Sequence, residues 1–276
     1  MSKIRARRWK RRKQRIERRL RNRRWKPQAQ PMLRASNIHY ELGEKGRGLD
    51  CGGLGAMHVL SRRVGLVDAI NRDLDLLKVK LPYHESDHVL NIAYNVLAGG
   101  GCLQDIEWRR NDEAYLDALG AQRIPDPTTA GDFCRRFSEA DVRQLMETLN
   151  EVRLGIWKQQ PDRFFDEATV DFDGSLAETF GECKQGMGLA YDGTWGYHPL
   201  IVSLAETGEP LYLLNRSGER PSHEGAAECA DQVGAFLKRA GLGSPTPILR
   251  RWGPLPADHV SWRHRLQPNE ALGSLE

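Results

Sequence analysis

The chain has 276 residues, 39% of them hydrophobic and 28% charged, which is ample for a buried core and for one or two domains. No apolar run approaches the roughly 18 to 20 residues that a membrane-spanning helix needs, and no apolar stretch follows the N-terminal positive charges as it does in a secretory signal. The formal charge of +4 hides a strong asymmetry: residues 1–26 hold 15 of the 41 Lys and Arg with one acid, Glu17. The other 250 residues carry 26 basic against 36 acidic side chains, so a basic arm sits on an acidic body and points to a polyanionic partner. The five cysteines (Cys51, Cys102, Cys134, Cys183, Cys229) are dispersed without a CxxC pair, which fits reduced thiols and argues against zinc.

In chain order, the basic arm is dense enough in charge to repel itself as a free helix, so it is expected to be disordered until it meets phosphate. A solvated tail, or sequence upstream of the true start, explains it equally well. Arg7, Arg8, Arg11 and Arg12 are its candidate DNA contacts. Residues 27–55 are Gly- and Pro-punctuated (GEKGRG, CGGLG) and read as a linker with at most one strand, Ile38–Leu42. Helices then run to about Gln160. One is capped by Ser86 or Asp87 and ends at Leu97, with Val89, Ala93, Val96 and Leu97 as its apolar stripe. Two more cover Leu103–Arg110 and Asp112–Leu119. IPDPTTAGDFCRRF starts the next, carrying Phe133, Arg135, Arg136 and Phe137. A long helix opens at Ser138 with Val142, Leu145, Leu149, Val152 and Ile156 as its expected core face.

After Pro161 the period changes to that of strands: Ala168–Asp173, Tyr197–Leu204 and Pro210–Asn215, the last two joined by the turn ETGE. A helix over Ser222–Ala240 and a short buried strand over Thr246–Leu249 follow. A meander followed by a crossover helix and a fourth strand predicts an α/β domain with a mixed sheet. The domains expected are 1–55 (arm and linker), 56–160 (helical, DNA-binding), 161–250 (α/β) and an aberrant 251–276.

Asp171 and Asp173 lie two apart on the first strand, on one face and about 7 Å from each other, with Val170 and Phe172 turned into the packing. Such a pair suits Mg²⁺, a hard cation that takes oxygen ligands. Two aspartates at a strand-to-turn transition are also ordinary, and the pattern alone favours that reading. His198, between Tyr197 and Pro199, reads as a packed or hydrogen-bonded histidine. Lys184, Arg216 and Arg220 are loop cations within reach of phosphate, and Arg135 and Arg136 sit beside aromatics as on a DNA-facing helix; solvated surface accounts for all of these too.

VDFDGS, GYHPLIVSL and EPLYLLNRSGERPSHEGAAE, in that order, resemble the DDE transposases of bacterial insertion sequences with a ribonuclease H-like catalytic domain. NIAYNVLAGGGCLQDIEWRRND and IPDPTTAGDFCRRF resemble the helical region of the same branch, so the likeness spans roughly residues 55–250. It implies Mg²⁺-dependent cleavage and strand transfer of double-stranded DNA at element ends, usually by a dimer, in the cytoplasm at the nucleoid. It maps the first catalytic, metal-binding aspartate onto Asp173, with Asp171 as second choice. The second aspartate of such enzymes follows the fourth strand, where this chain reads ArgArgTrpGlyPro (250–254). Their final glutamate lies further on than the tail reaches. The expectation is therefore a truncated or frameshifted copy with an incomplete ribonuclease H-like sheet, catalytically incomplete alone. The alternative is a non-catalytic DNA-binding protein or an inhibitor that pairs with full-length transposase.

Overall fold

A computed structural model describes residues 3–21, 29–35, 51–80, 82–161, 164, 168–180, 184–221, 223–241, 246–248 and 262–265. The chain divides into two compact units, residues 1–152 and 153–276. Among the described residues no helix is long and apolar enough to cross a membrane.

The first unit is helical. Helix α1 (Lys3–Leu20) stands where a disordered arm was expected. In isolation the segment would repel itself, but the fold lays acids along one of its flanks. Arg12 pairs with Asp112, Lys13 with Glu107, Arg15 with Glu113 and Arg19 with Asp117. Each exposed pair contributes only about 0–1 kcal/mol, so the anchor is apolar. Ile16 is buried in the core and Trp9 meets Trp108 at 6.0 Å between ring centroids.

Helices α2 (Leu54–Arg63), α3 (Leu66–Asp73) and α4 (Glu85–Leu97) follow. The cap of α4 is His84, two or three residues earlier than read from sequence, with Asp87 accepting the His84 backbone N–H at 2.9 Å. The same carboxylate accepts the N–H groups of Met32 and Leu33 at 2.8 and 2.9 Å, which ties residues 31–35 to α4. The buried face of α4 is not the expected one: Val96 and Leu97 are about 60% exposed, while His88, Leu90, Asn91, Tyr94 and Asn95 face inward. Asn91 and Asn95 donate there to the carbonyls of Pro125 and Cys102, while the Oδ1 of each is buried without a partner.

A 3-10 turn at Leu103–Asp105 leads into α5 (Ile106–Arg110) and α6 (Glu113–Ala118), the latter capped by Asp112. Helix α7 (Pro127–Cys134) has proline at its first position and Asp126 as cap, accepting the Thr129 N–H at 2.9 Å. Helix α8 (Glu139–Trp157) begins with a reciprocal Ser138–Asp141 box. Its expected stripe is again displaced, because Val142, Leu149 and Ile156 are exposed and Thr148, Asn150, Leu154 and Trp157 are buried. Thr148 donates to Asp73 at 2.9 Å, a polar anchor that a search for apolar periodicity passes over.

The second unit is built on a sheet of three antiparallel strands. Strand β1 (Val170–Gly174) pairs with β5 (Leu200–Leu204), and β5 with β6 (Glu209–Leu214) across a bulge at Val202/Ser203. Val170, Phe172, Leu200, Val202 and Leu204 point into one core. Helix α9 (Ala226–Arg239) contributes Cys229, Val233, Phe236 and Leu237 to burial, as its period predicts. It starts after Gly225, at φ 77°, rather than at Ser222, which lies outside the described residues. Trp157 packs on Phe236 at 5.4 Å and donates to Glu209 at 3.2 Å. Between β1 and β5 the chain inserts a second small sheet, β2 (Ala177–Glu178), β3 (Gly188–Leu189) and β4 (Trp195–Tyr197), ordered β2–β4–β3.

The segment read as a fourth strand is β7 (Thr246–Ile248), which pairs antiparallel with β8 (Trp262–Arg265), a strand whose residues show no usable period. All ladders among the described residues are thus antiparallel, where a mixed sheet was expected. A short strand needs a partner for its backbone groups, and β8 supplies one. The expected strand at Ile38–Leu42 lies outside the described residues. The four described cysteines, Cys51, Cys102, Cys134 and Cys229, are free thiols.

Candidate functional site

Strand β1 alternates as its sequence dictates. Val170 and Phe172 are buried, Asp171 is half-buried, and Asp173 is exposed at the end of the strand, opposite Ile201 of β5. Asp173 reaches solvent, yet its carboxyl is held above the ordinary range. Crowding by the protein on one side is the main cause and the like charge of Asp171 adds to it, while His198 opposes both.

Behind Asp173 the turn 196–199 and the loop 215–221 are clamped together. His198 donates its backbone N–H to Arg216 O at 2.8 Å, and Arg216 Nε returns a bond to His198 O at 2.9 Å. Tyr197 and Ser217 form an isolated bridge, and Gly218 N donates to Gly196 O at 3.1 Å. Glycine at 218 is required by this approach, since a Cβ there would stand 2.9 Å from Gly196 O. The His198 ring is buried and its Nδ1 lies 2.9 Å from Arg220 O. A carbonyl only accepts, so Nδ1 carries the proton, and in the neutral ring Nε2 is the free acceptor. That Nε2 lies 2.7 Å from where a Cβ on Gly174 would be, with Arg216 Nη2 at 3.2 Å from the same point. Gly174 therefore sets how closely the end of β1 approaches His198. Gly174→Ala is expected to destabilise by about 1–3 kcal/mol through overpacking. Denaturant melts of the two proteins check this, and an unchanged midpoint would mean that His198 and Arg216 are free to yield.

The remaining candidate residues are spread over both units. Arg216 is buried, with Nη1 donating to Pro221 O at 3.1 Å and Glu224 O at 2.6 Å, so its guanidinium holds the loop from within. Burial pushes its pKa down. Arg220 is exposed and pairs with Glu224 at 3.1 Å. Lys184 bonds to Thr179. A cavity of about 510 Å³, lined by Asn215, Arg216, Ser217, Arg220, Glu224 and Glu228 among others, adjoins this loop. In the helical unit, Arg135 pairs with Asp132 at 2.6 Å and Arg136 donates to Leu76 O at 3.1 Å. Arg7, Arg8 and Arg11 are exposed on α1, whereas Arg12 is engaged by Asp112. The site thus brings together Asp171, Asp173, His198 and Arg216. Reading the sequence missed the mutual clamp of His198 and Arg216, for which the only signal was the glycine pattern at 174, 196 and 218.

Two carboxylates on one strand face offer oxygen ligands, and their mutual repulsion is of the kind a cation relieves, so they fit one wall of a hard-ion site. Among the described residues no group of three His, Cys, Asp or Glu side chains is assembled to hold a metal.

An antiparallel meander that presents an aspartate pair at the end of its first strand, with a following helix packed on the sheet, defines an α/β nuclease-like domain. A family model described as transposase DDE domain, group 1, matches residues 43–247, and the chain belongs to that family. Searches of curated proteins and of solved structures found no match. Membership assigns a transposition-related DNA cleavage function, implies DNA binding, and brings a general use of divalent metal ions.

Proposed function

We propose that Asp173 is the first metal-binding carboxylate of this transposase domain, with Asp171 beside it, and that Mg²⁺ is the ion. The observation that carries this is the position of Asp173 at the exposed end of β1, its pKa raised by crowding and by Asp171. When bound, a divalent ion at these oxygens activates an attacking oxygen and offsets the charge of a phosphodiester. Of the chain's own groups, Gly174 admits the close approach and His198 presents an acceptor nitrogen toward it. Arg216 keeps that histidine in place.

The chain is catalytically incomplete by itself in this reading, because ArgArgTrpGly (250–253) occupies the place where the resemblance puts a second aspartate. Two carboxylates on one strand cannot surround two ions. What it retains is binding to double-stranded DNA at the nucleoid, with residues 56–160 as the binding region and 161–250 as the catalytic remnant, paired with a second copy or a longer transposase. On α1, Arg7, Arg11 and Arg18 fall on one stripe at helical spacing and all three are exposed, opposite the buried Ile16.

One pair of assays tests both parts. With element-end DNA and Mg²⁺ or Mn²⁺, strand cleavage by the chain is expected to match that of Asp173→Asn. Robust cleavage that Asp173→Asn abolishes would overturn the incompleteness while establishing the role of Asp173. In binding titrations, replacing Arg7, Arg11 and Arg18 by alanine is expected to lower the slope of log affinity against log salt by about 2–3. An unchanged slope removes α1 from the DNA interface.

A further inference from the structure

A cavity of about 310 Å³ opens in the helical unit between α4, α7 and the segment after α3, lined by Lys78, Val79, Tyr83, His88, Phe133 and Arg136 among others. The chemistry read around Asp173 does not use it. Aromatic rings back it, nearly covered: His88 stacks on Phe133 at 4.4 Å with the rings 10° apart, and Tyr83 meets His88 edge-on at 5.6 Å. Tyr83 is itself fixed, its hydroxyl accepting from Arg123 Nε at 2.7 Å.

His88 is the unusual member. It is only 3% exposed, and its Nδ1 is buried without a hydrogen-bond partner. A buried polar atom left unpaired costs about 1–3 kcal/mol, and native proteins keep few of them without a use. Burial, with the charge of Arg136, pushes the ring's pKa down to about 4, so at neutral pH it is an uncharged group with one donor and one acceptor nitrogen.

The mouth of the cavity is cationic. Lys78 and Arg136 are both exposed there, and Arg136 commits one N–H to Leu76 O. The one acid of the lining, Asp132, is already engaged by Arg135. The volume is at the low end of the roughly 300–1,000 Å³ range of ligand sites, room for one ring system and far too narrow for a duplex.

We propose that this cavity is a nucleotide-binding pocket, in which a single planar base lies against the His88–Phe133 wall and hydrogen-bonds His88 while its phosphate meets Lys78 and Arg136. Base recognition of this kind combines stacking with polar contacts to the ring edge. The same chemistry has two sources, a free nucleotide or an unpaired nucleotide of a DNA strand.

The test uses the full chain and four probes: deoxynucleoside monophosphates, the parent deoxynucleosides, inorganic phosphate, and a duplex with or without one unpaired 2-aminopurine. At least one monophosphate is expected to bind ten-fold or more tightly than its nucleoside or inorganic phosphate. His88→Phe preserves the stack, and Arg136→Gln alters an exposed side chain, so both should melt as the parent does and each should weaken that binding ten-fold or more. Quenching of the unpaired 2-aminopurine, weakened by the same variants, identifies DNA as the source; binding of the monophosphate without any such quenching identifies a free nucleotide. Absence of monophosphate binding at millimolar concentration together with no gain from the unpaired base overturns the proposal, and so does binding that both variants leave unchanged. Asp173→Asn should leave the pocket's binding intact, so its outcome and that of the cleavage assay are read separately.

Discussion

Lowering the pH from 7 to 4 is expected to remove on the order of 3 kcal/mol of the stability of the helical unit through His88 alone. The ring's pKa is near 6.5 in an unfolded chain and about 4 when folded, with burial as the main cause and Arg136 second. Between those values the unfolded state binds the proton and the folded state does not, so stability rises with pH across the window. The contribution is complete above about 6.5 and is lost as pH falls toward 4. His58, whose pKa burial also lowers despite its bond to Leu33 O, acts in the same direction. Asp87, pushed up by burial, works against both at the acid end. Urea melts at pH 7 and pH 4.5 on the parent and on His88→Phe separate these contributions. The variant should match or exceed the parent at pH 7, since an unpaired buried nitrogen is gone, and should show a shallower fall in acid. An identical fall in both proteins would mean that His88 titrates normally.

Strands β1 and β5 and helix α9 were legible because their burial follows their period. The expected strand Tyr197–Leu204, by contrast, breaks after Tyr197, which belongs to β4 in the small second sheet. Val170 and Phe172, then Leu200, Val202 and Leu204, alternate as strands on a core must, and Cys229, Val233, Phe236 and Leu237 recur as one helix face. The faces of α4 and α8 were misread for one shared reason. Each turns polar side chains inward and bonds them there: Asn91 to Pro125, Asn95 to Cys102, Asp87 to the backbone of Met32 and Leu33, Thr148 to Asp73. Apolar periodicity cannot see a buried face held by hydrogen bonds, and it assigned the exposed Val96, Leu97, Val142 and Leu149 to the core instead. Helix α1 went unrecognised because its partners, Glu107 to Asp117, lie about a hundred residues away. The aspartate pair could be read from spacing and resemblance, but its surroundings could not. Whether a loop arginine meets phosphate or a carbonyl depends on a fold-back that local sequence does not encode.

Arg216 makes that distinction measurable. Arg216→Ala is expected to cost about 3–5 kcal/mol, because a buried charged donor group serving three carbonyls is removed and the His198 carbonyl is left buried without it. The three carbonyls belong to His198, Pro221 and Glu224, so the loss would release the loop from the turn that holds His198 behind Gly174. Arg216→Lys keeps the charge but not the planar fork, and one ammonium cannot reach both sides of the loop, so most of the loss should persist. Arg220→Ala is the contrast: its partner Glu224 is solvent-exposed, and the pair is worth about 0–1 kcal/mol. If Arg220 touches phosphate, its loss lowers the salt slope of DNA binding by about 1 at nearly unchanged stability. The Arg216 variants should instead lose stability, with proteolysis appearing in the loop 215–221. Equal stability losses at 216 and 220 would show that the loop is held by something other than the buried guanidinium, and Arg216 would return to the candidates for phosphate contact.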